Sequence, residues 1–135
     1  MTNVPAETLV GGDGALLRAI PVNTLLIGPA AKVDALIAAL LPQLESPLAH
    51  WWPTESQPLP GLTSGTLILH DVAAIPPERQ AWFSARLGAL DRPVRVISTS
   101  ETRVWPLVQR GAFLASLYYR LNVLCLDLTR TPAGT

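Results

Sequence analysis

Short apolar runs alternate along the chain with segments of helical character. The apolar runs predict buried strands at 23–27, 48–52, 65–69, 94–97 and 123–128. Helices are predicted at 30–41, 76–90, 102–109 and 113–121, with one or two further helical turns at 15–20. Because strands alternate with helices, we expect an α/β three-layer sandwich, in which a mainly parallel sheet of about five strands carries helices on both faces.

Composition narrows the class of protein. The chain of 135 residues is 49% apolar and 15% charged, which favours one packed domain with tails at 1–8 and 129–135. Ten Lys and Arg balance ten Asp and Glu, so we expect neither direct DNA binding nor binding to a membrane surface. The first twenty residues contain no recognisable signal peptide, and a cytoplasmic location is the expectation. Cys125 lies in an apolar run and is expected to be a buried free thiol.

Four segments of the second half resemble a known family when they are taken in order. Gly65-Thr-Leu-Ile-Leu-His-Asp-Val72 resembles GTLFLDEI, and Ile75-Pro-Pro-Glu-Arg-Gln-Ala81 resembles LPxExQA. Val94-Arg-Val-Ile97 resembles VRVIA, and the stretch 111–123 (GAFLASLYYRLNV) resembles GxFRxDLYYRLNV. These are motifs of the AAA+ domain of sigma-54-dependent activators. The resemblance is thinner over 9–41, and it implies a compact P-loop NTPase fold without a helical lid.

The first site implied by the resemblance is the phosphate-binding turn. A P-loop has the pattern GxxxxGK[ST], in which backbone N–H groups and the Lys hold phosphates and the Ser or Thr holds magnesium. Here the turn runs from Gly28 to Lys32 with three residues between them, and it has no second Gly. Pro29 removes a backbone donor, and Asp34 places a negative charge near the helix start. Gly28 and Lys32 therefore form a degenerate Walker A turn that retains at most weak anion or nucleotide binding.

The second site is the pair of acidic residues at the end of the Walker B strand. In the family Asp supports magnesium and Glu polarises the attacking water, and the matching residues are His70 and Asp71. The sensor I position, usually Asn, is Glu101. His50 and Cys125 have no spacing to His70 that is typical of a metal site, so no metal is expected.

Two further features bear on partners. Arg120 matches one of the family's trans-acting arginines, and it is expected either to reach a neighbouring subunit or to cap its own helix or pair with an acidic residue. Trp51 and Trp52 are adjacent on a predicted strand, so one is expected in the core and the other at the surface, where it is a candidate protein contact. Residues 42–64 contain no GAFTGA loop, through which the family contacts sigma-54.

The resemblance and these substitutions together predict a catalytically inactive, AAA+-like regulatory domain that acts through a protein partner or by self-association. ATP hydrolysis is not expected, and no cofactor is required. The alternative is a weak binder of ATP and magnesium that acts in transcription regulation, because Lys32 and a helix N-terminus are retained.

Overall fold

The computed structural model describes residues 2–5, 22–54, 61–89 and 94–129. The strands are β1 (Thr2–Pro5), β2 (Thr24–Ile27), β3 (Leu48–Trp51), β4 (Gly65–Leu69), β5 (Val94–Ser100) and β6 (Leu124–Asp127). The helices are α1 (Ala30–Leu40), α2 (Pro77–Gly88), α3 (Trp105–Gln109) and α4 (Ala115–Leu121). Short 3-10 turns cover Leu41–Gln43 and Val72–Ala74.

The described strands form one parallel sheet in the order β1-β6-β2-β5-β4-β3. This arrangement confirms the predicted α/β class and its mainly parallel sheet. The sheet has one strand more than the five expected, because Thr2–Pro5 pairs with Leu124–Asp127 in the segment that we assigned to an N-terminal tail. A backbone can join the edge of a sheet through its own hydrogen bonds, and a short polar segment such as this one gives no apolar signal. The helical turns predicted at 15–20 lie outside the described residues.

Each face of the sheet has its own hydrophobic core. On one face, α1 contributes Val33, Ile37 and Leu40, which pack over Leu26 and Ile68. On the other face the larger core contains the inward side chains of α2 and α4 together with Trp51. Such two-sided burial explains why β2 and β4 are continuous apolar runs without alternation.

Parallel connections bring the carboxyl ends of the central strands to one edge of the sheet. The chain leaves β2 for the far edge at β3, returns through β4 and β5, and then places β6 on the opposite side of β2. The order therefore reverses at β2, and ligand sites of open α/β sheets lie outside the carboxyl ends of the strands at such a point.

Candidate functional site

An open cleft of about 290 Å³ lies at this edge of the sheet. Its lining residues come from the ends of four strands and from the start of α1: Gly28, Ala30, Val33, Asp34, Trp52, His70, Asp71, Thr99, Ser100 and Glu101. Four of the positions singled out in the sequence, Gly28, His70, Asp71 and Glu101, are thus brought together, although up to 73 positions separate them along the chain.

The turn after β2 is held tightly against its neighbours. The Gly28 N–H donates a hydrogen bond to the Ser100 carbonyl at 2.9 Å. A Cβ added at Gly28 would lie 2.8 Å from the Leu128 Cβ, so only glycine fits this approach. The α1 helix then begins at Ala30, directly after Pro29, whose carbonyl accepts the N–H groups of Lys32 and Val33.

The structure separates the two residues that the sequence grouped in this turn. Gly28 lines the cleft, whereas Lys32 is exposed on α1 and does not belong to the lining. Asp34, two residues further on, does line it. Helix α1 begins two residues after Gly28, so the only lysine of the chain lies within its first turn. Of the two residues of the degenerate Walker A turn, only Gly28 lines the cleft.

The segment after β4 is shaped by an unusual backbone conformation. Asp71 has φ 55° and ψ 53°, in the left-handed region, which Asp tolerates better than most residues. Its N–H donates to the Thr99 hydroxyl at 2.8 Å, which fixes the turn to β5. Both His70 and Asp71 line the cleft.

One wall of the cleft is aromatic. The Trp52 indole lies nearly parallel to the His70 imidazole, with ring centroids 4.2 Å apart and planes within 6°. His50 Nδ1 and His70 Nε2 form a hydrogen bond of 2.9 Å, and their ring planes differ by 16°. His50 also lies 5.8 Å from Trp52, centroid to centroid.

The sequence analysis missed the contact between His50 and His70. The sequence analysis considered His50 and His70 only as possible metal ligands and found no metal-site spacing, yet parallel pairing aligns His50 with Ile68 and Trp51 with Leu69. Continuing that register brings Trp52 beside His70, and side chains two apart on a strand share a face. The signal in the sequence was the pattern His-x-Trp followed by a strand that ends in His.

The charges around the cleft are mostly negative. Asp34, Asp71 and Glu101 carry carboxylates, and no described residue of the lining is Lys or Arg. The pKa of His70 is lowered, first by burial and then by His50, while the charge of Asp34 acts in the opposite direction. At neutral pH the His70 side chain is thus held in its uncharged form.

The two adjacent tryptophans behave as predicted for neighbours on a strand. Trp51 is 1% exposed and packs against Phe83, with ring centroids 4.7 Å apart. Trp52 is 41% exposed and belongs to the cleft wall. Trp82 and Trp105, on other elements, are exposed to a similar degree.

Arg120 makes a local contact between helices. Its Nε donates to the Ser84 hydroxyl at 3.2 Å, and its guanidinium lies over Gly88, where an added Cβ would be 2.7 Å from the central carbon. Within the described chain Arg120 therefore links α4 to α2 through Ser84.

A second cleft of about 250 Å³ lies beside β6. Its lining contains Cys125 together with the ion pair between Arg103 and Asp127, whose nitrogen and oxygen are 3.0 Å apart. Burial, and then the charge of Asp127, raises the pKa of the Cys125 thiol to about 11, so the sulfur remains protonated and unreactive at neutral pH.

Within 22–54, 61–89 and 94–129 no group of three or more His, Cys, Asp and Glu side chains could hold a metal ion. In the same part of the chain no helix has the length and apolar character needed to cross a membrane.

Several solved structures of other proteins share the fold of this chain. NtrX from Brucella abortus in complex with ATP is 20% identical with a TM-score of 0.67, and the match covers 84% of this chain and 33% of NtrX. The P-loop NTPase domain of the sigma-54 transport activator from E. coli is 19% identical with a TM-score of 0.61, covering 87% of this chain and 90% of that one. The chain spans about a third of the length of NtrX.

A DNA polymerase III gamma subunit-related protein from Thermotoga maritima shows the same fold at 13% identity and a TM-score of 0.56, covering 88% of this chain and 46% of that one. No curated protein has detectable sequence similarity to the chain. The profile of the sigma-54 interaction domain matches residues 15–130, which is most of the chain. The protein therefore belongs to the sigma-54 interaction domain family.

Proposed function

We propose that this chain is a non-hydrolysing member of the family that works by binding another protein. The observation that carries the proposal is the charge of the cleft at the carboxyl ends of the strands, where Asp34, Asp71 and Glu101 lie without a described basic neighbour in the lining. A nucleoside triphosphate carries several negative charges, and carboxylates close to it raise its free energy of binding. The cleft therefore disfavours the ligand that a P-loop holds.

The positions of individual groups support the same conclusion. In a P-loop the Lys reaches the phosphates and backbone N–H groups surround them. In this chain Lys32 is outside the lining, Pro29 has no N–H, and the Gly28 N–H already donates to Ser100. His70 replaces a magnesium-binding carboxylate, and an uncharged imidazole is a poor ligand for magnesium.

Nucleotide titration tests the absence of hydrolysis and tight binding. The domain is mixed with millimolar Mg·ATP, and its thermal midpoint and the release of phosphate are measured, with NtrX as a positive control because it was solved with ATP. A nucleotide at about 100 times its Kd would raise the free energy of unfolding by about 2.7 kcal/mol. We expect no shift of the midpoint and no phosphate release, and a magnesium-dependent release of phosphate would contradict the proposal.

The alternative function is weak ATP binding in transcription regulation. Its support is the position of the cleft, which is bordered by Gly28 and by the first turn of α1 as in an anion site. The same titration separates the two functions, because a saturable rise in the thermal midpoint without phosphate release would favour the alternative.

Protein binding is assigned to the exposed aromatic wall. Trp52 is a large side chain with its edge in solvent, and such residues are frequent anchors of protein interfaces. A second copy of the chain is the first partner to test, by light scattering over a concentration series. We expect association to weaken in Trp52→Ala and to persist in Trp82→Ala, since Trp82 is 46% exposed on the separate helix α2. A strict monomer that also retains no protein from its native host would contradict this assignment.

A further inference from the structure

The hydrogen bond between His50 and His70 limits the number of protons that the two rings can carry. The nitrogens are 2.9 Å apart while the ring centroids are 5.2 Å apart, so the rings meet through their nitrogen edges. Such a bond needs one nitrogen that carries a proton and one that does not. The pair can therefore exist uncharged or with one extra proton, but two imidazolium rings would present N–H to N–H and repel each other.

The indole of Trp52 depends on this pair for its position. It lies parallel to His70 at 4.2 Å and also faces His50 at 5.8 Å, so both imidazoles contribute to the surface on which it rests. Trp52 follows β3 directly, and in the described part of the chain β3 is an edge strand with β4 as its only partner. Separation of the two histidines would therefore change the aromatic wall without disturbing the central strands.

We propose that the His50–His70 pair is a pH-dependent switch. It holds Trp52 stacked on His70 at neutral pH and releases Trp52 when the pair binds a second proton. This inference concerns the movement of the cleft wall and does not depend on the non-hydrolysing function proposed above.

The charged groups that face the pair determine the order of the proton steps. Among the described residues these groups are Asp34 on α1, Asp71 next to His70, and Glu101 after β5, all of which line the same cleft. The negative charge of Asp34 acts on His70 and favours the first extra proton. The two rings share that proton in a charge-assisted hydrogen bond. The second proton must break that bond and place two positive rings together, so it binds at a lower pH. The lowered pKa of His70 agrees with this order, because the neighbouring His50 is one of its causes.

Histidine NMR is suited to the test because the chain contains only two histidines. Ring proton and nitrogen shifts of the full chain are followed from pH 8 to pH 4.5, and Trp52 is followed by fluorescence with Trp52→Phe as the blank for the other tryptophans. We expect both rings to report the same two proton steps, separated by about one pH unit or more, as for strongly coupled sites. The fluorescence change that Trp52→Phe lacks should have the midpoint of the second step.

Two conservative variants serve as matched controls. His50→Asn places an amide near Nδ1, and His70→Gln places one near Nε2, so each can keep a neutral hydrogen bond and cannot gain a charge. In each variant the remaining histidine should titrate in a single step, and the Trp52 signal of the second step should disappear. Two independent one-step titrations in the wild type, unchanged by removal of either partner, would overturn the proposal, as would a Trp52 signal that stays in both variants.

Discussion

The Gln80 side chain ties α2 to the segment that precedes α4. Its Oε1 accepts a hydrogen bond from the Leu114 N–H at 2.6 Å, and its Nε2 donates to the carbonyls of Ala112 and Ile75 at 3.2 and 3.1 Å. Gln80 is the Gln of the LPxExQA-like segment, and Leu114 lies in the GxFRxDLYYRLNV-like segment at 111–123. The two motifs that carry the strongest sequence resemblance therefore bind each other and hold the scaffold, at a distance from the cleft.

Replacing Gln80 should be one of the most damaging polar substitutions in the domain. In Gln80→Ala the part-buried Leu114 N–H and Ala112 carbonyl and the buried Ile75 carbonyl lose this partner. We expect a loss of about 2–4 kcal/mol in the free energy of unfolding. Urea denaturation measures the loss, with Gln109→Ala as the control because Gln109 is exposed at the end of α3. Equal stability of the two variants would show that the three hydrogen bonds contribute little.

The adjacent tryptophans should differ sharply in their contribution to stability. Trp51→Ala removes a ring that packs on Phe83 in the core and should cost about 3–5 kcal/mol. Trp52→Ala removes a ring with 41% of its surface in solvent and should cost under about 1 kcal/mol. Urea unfolding of the two variants, at the pH where the wild type is most stable, gives the comparison. Similar losses in both would mean that the aromatic wall supports the fold as much as the core does.

The strands and helices of the described core could be predicted from sequence, because burial on both faces of a parallel sheet leaves long apolar runs such as Gly65–Leu69. Thr2–Pro5 gave no such signal, since it joins the sheet through its backbone. The family resemblance assigned Gly28, His70, Asp71 and Glu101 to separate motifs, and the structure places them around one cleft. Neither the position of Lys32 outside the cleft lining nor the contact of His50 with His70 could be predicted, because the first depends on helical phase and the second on strand register.

The addition of a methyl group at two glycines should change the free energy of unfolding by very different amounts. Gly65 has φ 96°, and an added Cβ would lie 2.1 Å from the Pro47 carbonyl oxygen, so Gly65→Ala must shift backbone. We expect a loss of more than about 3 kcal/mol, from the left-handed conformation and the clash together. In Gly88→Ala the added Cβ approaches only the guanidinium end of the long Arg120 side chain, and alanine has the higher helix propensity. We therefore expect a change within about 1 kcal/mol. Thermal and urea unfolding of both variants measure these effects, and a severe loss in Gly88→Ala would mean that Arg120 has no other place to go.

The lowered pKa of His70 predicts that the free energy of unfolding decreases as the solution becomes acidic. Above the ordinary histidine pKa of 6.5, His70 is neutral in both the folded and the unfolded chain, and its contribution is fully present. As the pH falls below 6.5 the unfolded chain binds the proton first, so the free energy of unfolding decreases until the lower folded pKa is passed. Urea unfolding between pH 7.5 and 5 should therefore show a decrease that is smaller in His70→Gln. An unchanged pH profile in that variant would assign the decrease to other groups.

The buried Cys125 thiol predicts how the free energy of unfolding changes at alkaline pH. Its raised pKa, about 11 against an ordinary 9.0, means that the folded chain favours the neutral thiol. This contribution to stability is fully present below pH 9 and is lost as the pH rises towards 11, where the unfolded chain releases the proton first. Relative to Cys125→Ala, the wild type should lose free energy of unfolding over that range. At pH 8 the folded thiol is roughly a hundredfold less ionised than the unfolded one, so an aromatic disulfide reagent should modify it only at the rate at which the chain opens. Rapid modification of the native protein, unaffected by stabilising or destabilising conditions, would show that the second cleft exposes the sulfur.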